Sequence, residues 1–187
     1  AHARGVGVAA ITGVSQFDER FVKLRKHIPE GVVWGCAVGD TQFYADFAGE
    51  VAATGVDVID IFDEFKCNTE TKLYRDGFAK RYGMPFPGSF SYPDLHKAEQ
   101  HNQVFYNFDV INALVEAAAV GAKAVNPNVL FSTAVSPANN LRSLDNGYHD
   151  LEAQSDVLDF ASTDPYTTDV GSLKYTIKLC RGALGNG

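Results

Sequence analysis

What this sequence has little of narrows it first. No run of about 18 apolar residues occurs, so no segment reads as a transmembrane helix. Positive charge is short: 16 Lys and Arg face 23 Asp and Glu, a formal net charge of −7. Together with a pI near 5.1, that balance argues against an extended nucleic-acid footprint and against attraction to anionic membranes. It leaves small neutral or cationic partners. The three cysteines, Cys36, Cys67 and Cys180, form no CxxC, so both a Cys36–Cys67 disulfide and reduced, buried thiols stay open. No Asn-X-Ser/Thr acceptor is present. Neither GxGxxG nor GxxxxGK[ST] follows an early strand, which disfavours nucleotide binding, and the five histidines contain no HExxH. The sequence predicts no metal site and no cofactor.

What is present is the composition of an ordinary globular chain, 187 residues with 45% hydrophobic and 21% charged content. The start, "AHARGVGVAA", has no initiator Met and no signal-peptide plan, and the end, "CRGALGNG", follows an amphipathic helix with Gly and Asn punctuation. Residues 1–187 are therefore expected to be a single domain that is the middle section of something longer, truncated at both ends.

Short apolar runs recur at 6–14, 31–38, 56–62, 128–135 and 157–163. They are rich in Val, Ile and Phe and continuous rather than alternating, as strands buried on both faces of a parallel sheet are. Between them lie helical patterns. Residues 19–27 carry Phe21, Val22 and Leu24; 42–54 place Phe43, Phe47, Val51 and Ala52 on one side; 71–82 carry Leu73, Tyr74 and Phe78. The longest helix is predicted over 97–125 with an apolar stripe of Phe105, Phe108, Ile111, Leu114, Val115 and Ala118, ended by Pro127. The stretch "GMPFPGSFSYPD" reads as an excursion loop, and a short helix is expected near Leu151. Strand and helix alternation predicts an α/β fold, either an open doubly wound sheet or a (β/α)8 TIM barrel with parallel strands, and the barrel is favoured. A complete barrel takes about 250 residues, so this chain reads as a partial one.

A barrel carries its active site at the C-terminal ends of its strands. Asp63 and Glu64 fall there, after "VDVIDIF", as do Asp164 in "ASTDPY" and the polar Thr133 and Ser136. Asp18 reads instead as a helix cap. Burying an ionised carboxylate costs several kcal/mol unless it is paired, so acids at such ends point to function or to a specific partner. The structural alternative is that Asp63 caps its turn and Glu64 pairs with Lys66 or Arg75. Neighbouring residues point in opposite directions, so Asp63 and Glu64 do not make a two-carboxylate machine by themselves. Glycoside hydrolysis requires two carboxyl groups about 5–5.5 Å apart for retention or roughly 6.5–9.5 Å for inversion. The second acid must come from another strand.

The phrases "AHARGVGV", "VDVIDIFDEF", "YRDGFAKRYGMPFP", "AVNPNVLFSTA" and "VLDFASTDPY" together, in order, resemble the catalytic barrel of family forty-two β-galactosidases and related glycosidase-like barrels. The resemblance spans nearly the whole chain and rests more on order and spacing than on any single motif. It implies hydrolysis of O-glycosidic bonds, a carbohydrate substrate, and Glu64 as general acid/base, with the nucleophilic Glu beyond Gly187. Asp63 stands where that family has Asn, whose donation to the sugar 2-hydroxyl an ionised carboxylate cannot reproduce. The same stretch is similar to α-galactosidase and α-fucosidase barrels, which implies a second assignment, Asp63 as nucleophile with Asp164 as general acid. Tyr166, Trp34 and Phe65, with Phe90 and Tyr92, are candidate sugar platforms, and His2 lines the pocket if the family phrase carries over. Two other readings stand beside these. One is a glycosidase-like barrel without catalysis, serving as a binding or structural module; the other is an open α/β sheet that binds a small molecule. Sugar identity, oligomeric state and compartment are left open by the sequence.

Overall fold

In a computed structural model, residues 7–12, 41–61, 67, 69, 71–88, 97–135, 150–163 and 170–183 are described. They form a mixed α/β arrangement: β1 (Ala9–Thr12), α1 (Thr41–Ala53), β2 (Val58–Ile61), α2 (Lys72–Tyr82), α3 (Ala98–Val125), β3 (Leu130–Val135), α4 (Leu151–Gln154), β4 (Phe160–Thr163) and α5 (Val170–Ala183). The four strands make one sheet in the order β1-β2-β3-β4, and every pairing is parallel. Ile59 is in register with Ala10 and Phe131, and Asp60 with Ile11 and Ser132. Each strand therefore pairs with the next in the chain. The helices between them supply the crossovers that parallel pairing requires.

Four of the predicted strands are present, each shorter than its apolar run. The 31–38 run and the 19–27 helix lie outside the described residues. Among the described strands β1 and β2 are direct neighbours.

Alternation in the strands sends Ile59 and Phe131 to the side where α1 and α3 pack, and both are fully buried. The core there joins Phe43, Phe47 and Val51 of α1 to Ile111, Leu114 and Val115 of α3. Phe43 and Phe47 stack with ring centroids 6.3 Å apart. The Ala-rich second half of α3 lets the two backbones come close. A methyl on Gly121 would stand 2.6 Å from Ala45 Cα, and one on Gly49 would stand 3.3 Å from the Gly121 carbonyl oxygen.

The stripe expected on α3 is corrected at its first turns. Phe105 is 60% exposed and Phe108 is only partly buried, while Val104, Asn107 and Val110 face inward. From Ile111 onward the expected and observed faces coincide. A similar correction holds on α2, where Leu73 is half exposed and its neighbour Tyr74 is fully buried. Consecutive helical residues point about 100° apart, so only one of the two reaches α3, and the larger ring takes the place.

Helix α2 begins where Thr71 Oγ1 accepts the Tyr74 N–H at 3.2 Å and ends at Gly83, whose φ of 67° is one that glycine adopts without strain. The short helix expected near Leu151 is α4. Asp150 caps it by accepting the Ala153 N–H, and its buried Gln154 donates to Asn112 Oδ1 at 2.6 Å. At the N-terminal end of the sheet the residue before β2 and the residue before β4 play the same part. Asp57 accepts the Val8 N–H at 2.6 Å, and Asp159 accepts the Phe131 N–H at 2.7 Å. Lys123 of α3 completes the second of these at 2.8 Å. Each carboxylate ties a strand to its predecessor, which fixes the register.

Candidate functional site

Asp63, Glu64, Phe65, Asp164, Tyr166, Trp34 and His2 all lie outside the described residues, as do Phe90, Tyr92, Ser136 and Asp18. Their attachment to the sheet is nonetheless set by strand ends. Asp63 and Glu64 are the second and third residues after Ile61, the last of β2, and Asp164 directly follows Thr163, the last of β4. Ile61 and Thr163 lie at the same, C-terminal edge of the sheet, because all the strands are parallel. Only β3 separates β2 from β4. With neighbouring strands about 4.8 Å apart, β2 and β4 run roughly 10 Å apart, and β4 ends two residues beyond β2, since Ile61 is level with Ala161. Thr133, a polar residue noted near a strand end, is fully buried within β3 on the same face as Phe131, toward the helices.

The opposite face carries a polar group that sequence reading passed over. Asp60 of β2 is partly buried, and Ser162 of β4 donates to its Oδ2 at 2.6 Å. The same hydroxyl lies 3.4 Å from the Thr133 carbonyl oxygen. Ser132 on β3 stands in register with Asp60 and is fully buried. Residues directly opposite one another in a sheet share a face, so Ser132 belongs to this row, and Ser162 reaches Asp60 across it. Toward the N-terminal ends of the strands the same face turns apolar, with Leu130 46% and Phe160 36% exposed. The available signal was Asp60 itself, an acid inside "VDVIDIF". Val58 and Asp60 alternate with Ile59 and Ile61, so the run is two-faced rather than uniformly apolar.

A second polar set lies beneath α2 and α3. Tyr74 donates from its fully buried hydroxyl to Asn107 Oδ1 at 2.5 Å, and the thiol of Cys67 is 4.0 Å from the Asn107 carbonyl oxygen. Cys36, the other half of the disulfide alternative, lies outside the described residues. Tyr74, Phe78, Phe86 and Tyr106 surround this set with edge-on ring contacts of 5.0–5.8 Å. Phe86 comes from the stretch read as an excursion loop, so the start of that stretch is packed.

Tyr82, at the margin of these rings, has its phenol pKa raised above the usual 10.0, first by burial and then by the nearby Asp109 carboxylate. The folded chain therefore holds this proton more tightly than the unfolded one. The resulting stabilisation is complete below pH 10 and is lost as pH rises through the raised value. Tyr82→Phe should flatten the alkaline fall in the urea midpoint. An unchanged pH profile in that variant would show that other groups set it.

Among the described residues no group of His, Cys, Asp and Glu is placed to hold a metal ion, and no helix is long and apolar enough to cross a membrane. Comparison of the chain with protein-family models, with curated proteins and with solved structures gives no match.

Proposed function

We propose that the chain is a section of a (β/α)8 barrel that hydrolyses O-glycosidic bonds, with Glu64 as general acid/base. The observation that carries this reading is the order of the sheet. Four parallel strands follow one another without reversal, α1 and α3 pack on one face, and the opposite face is polar around Asp60. A doubly wound sheet reverses its order at a switch point, and the described strands contain no reversal. Acids follow the C-terminal ends of β2 and β4 in the chain, which is the edge a barrel uses for chemistry.

The separation of the two strand ends supports the second assignment as well, Asp63 as nucleophile and Asp164 as general acid. Side chains leaving strands roughly 10 Å apart can bring two carboxyl groups to the 5–5.5 Å that a retaining mechanism uses. Both assignments call for a neutral carbohydrate at the C-terminal edge of the sheet, and neither calls for a metal or cofactor.

The test is hydrolysis of a panel of nitrophenyl glycosides by the full-length protein, with the anomeric configuration of the first product followed by NMR. Turnover with retention is the expected result. A folded protein that turns over no member of the panel would favour a barrel that binds without catalysis.

A further inference from the structure

Two helices carry exposed stripes that the hydrolytic reading leaves without a task. On α3, Phe105, Asp109, Glu116 and Val120 are all exposed, and at 3.6 residues per turn they fall within about 60° on one side of the helix. Asp109 meets Arg81 at 3.5 Å in an exposed pair. On α5, Val170, Lys174, Ile177, Lys178 and Arg181 are exposed, and they fall within about 100°. That helix, "VGSLKYTIKLCRGA", contains no acid, in a chain whose formal net charge is −7. None of its three cations pairs with an acid among the described residues. The two stripes match position for position. Lys174 and Arg181 are seven residues apart, as Asp109 and Glu116 are, and Val170 stands four before the first cation as Phe105 stands four before the first acid. Because Val120 lies four beyond Glu116, the α3 stripe reads alike from both ends and accepts α5 in either direction. Helix α4 packs against both α3 and α5, so the stripes are near neighbours on the molecule.

We propose that these stripes join two copies of the chain about a two-fold axis, α3 of one protomer lying against α5 of its partner and the reverse. Each contact sets Asp109 and Glu116 of one protomer against Lys174 and Arg181 of the other and takes the apolar ends of both stripes out of water. Two chains of like net charge repel at long range, but at physiological ionic strength screening acts over about 8 Å, so the local match decides. The outer face of α1 offers Asp46 and Glu50 with no exposed large apolar residue among those described, and it does not complement Val170 and Ile177. An anionic lipid surface would attract α5 but repel α3. Each stripe is about 17 Å long over the matched positions, so the dimer belongs to the weak class that small interfaces form. Charge and spacing carry the pairing independently of the hydrolytic reading.

The experiment is sedimentation equilibrium of the full-length protein, with urea unfolding to show that each variant folds. Wild type should dimerise. Lys174→Glu with Arg181→Glu should raise the dimer dissociation constant about a hundredfold, since exposed ion pairs in both contacts become repulsions. Asp109→Lys with Glu116→Lys should do the same. An equimolar mixture of these two double variants should regain the wild-type affinity, because each supplies the charge the other now lacks; damage to the fold of either protomer gives no such recovery. As a control, Asp46→Lys with Glu50→Lys on α1 should not weaken association. A monomeric wild type overturns the pairing, whether or not it binds vesicles containing phosphatidylserine. So does a dimer that both double variants leave intact, and so does a mixture of the two folded variants that stays monomeric.

Discussion

Glu64→Gln in the full-length protein is expected to lower kcat/KM for an alkyl glycoside by about 10²–10⁴, the contribution of a positioned general acid/base. The size of the loss should depend on the leaving group. An alkoxide departs only with a proton, so the loss there is full. A dinitrophenolate departs without one, and the step that breaks its glycosidic bond should be nearly unchanged in the variant. A nucleophile behaves differently, because its removal blocks both substrates alike. Asp63→Asn separates the two assignments by sign. If Glu64 is the acid/base, Asn at 63 restores a donor to the sugar 2-hydroxyl, and kcat/KM should rise. If Asp63 is the nucleophile, the same change should abolish turnover of every substrate. Equal losses for Glu64→Gln on alkyl and dinitrophenyl glycosides would remove Glu64 from the acid/base role.

Gly121→Ala is expected to destabilise the fold by about 3 kcal/mol, at the upper end of what overpacking costs, since backbone rather than a flexible side chain is in the way. The added methyl would meet the backbone of Ala45, with the Cα at 2.6 Å and the carbonyl group also too close. Neither helix can yield locally. Relief would come from moving α1 off α3, which would loosen Phe47, Val51, Leu114 and Ala118 together. In a typical exposed helix the same substitution gains up to about 1 kcal/mol from helix propensity, so the sign of the effect reports the contact. Urea unfolding with far-UV detection reads it, with Gly182→Ala as a control. Gly182 is also helical, and nothing lies within 4 Å of a methyl placed there. A Gly121→Ala protein as stable as wild type would mean that the two helices do not cross at this point.

The sheet was legible in the sequence because buried parallel strands leave short Val, Ile and Phe runs, and four of those runs are strands. Helix α2 was legible to its ends, since Thr71 and Gly83 are chemical punctuation rather than statistical tendency. The first half of α3 was not. Its aromatic residues suggested one face, but Phe105 is exposed and Asn107 turns inward to meet Tyr74. Hydrophobicity alone does not reveal that a buried amide has a partner waiting on another helix. The candidate acids at 63, 64 and 164 were read from their place after strands, and they lie outside the described residues. The row of Asp60, Ser132 and Ser162 escaped notice because its members lie 30 to 102 positions apart and meet only through register. Serine in a strand of "LFSTAV" carries no local signal of what stands beside it.

The order of the sheet also bears on how it assembles. Each described strand pairs with its neighbour in the chain, so the cost of each pairing is set by the one connection that joins the two strands. Closure entropy rises with the span to be closed, by about 0.6 kcal/mol for each doubling. The span from β3 to β4 is the shortest of the three and that from β2 to β3 the longest. The β3–β4 pair, locked at its base by Asp159, is thus the natural nucleus, and α3 must already be helical for β2 to find it. Folding should then proceed toward the N-terminus, opposite to the direction of synthesis, and the fast exchange of β1 amide hydrogens would be its trace.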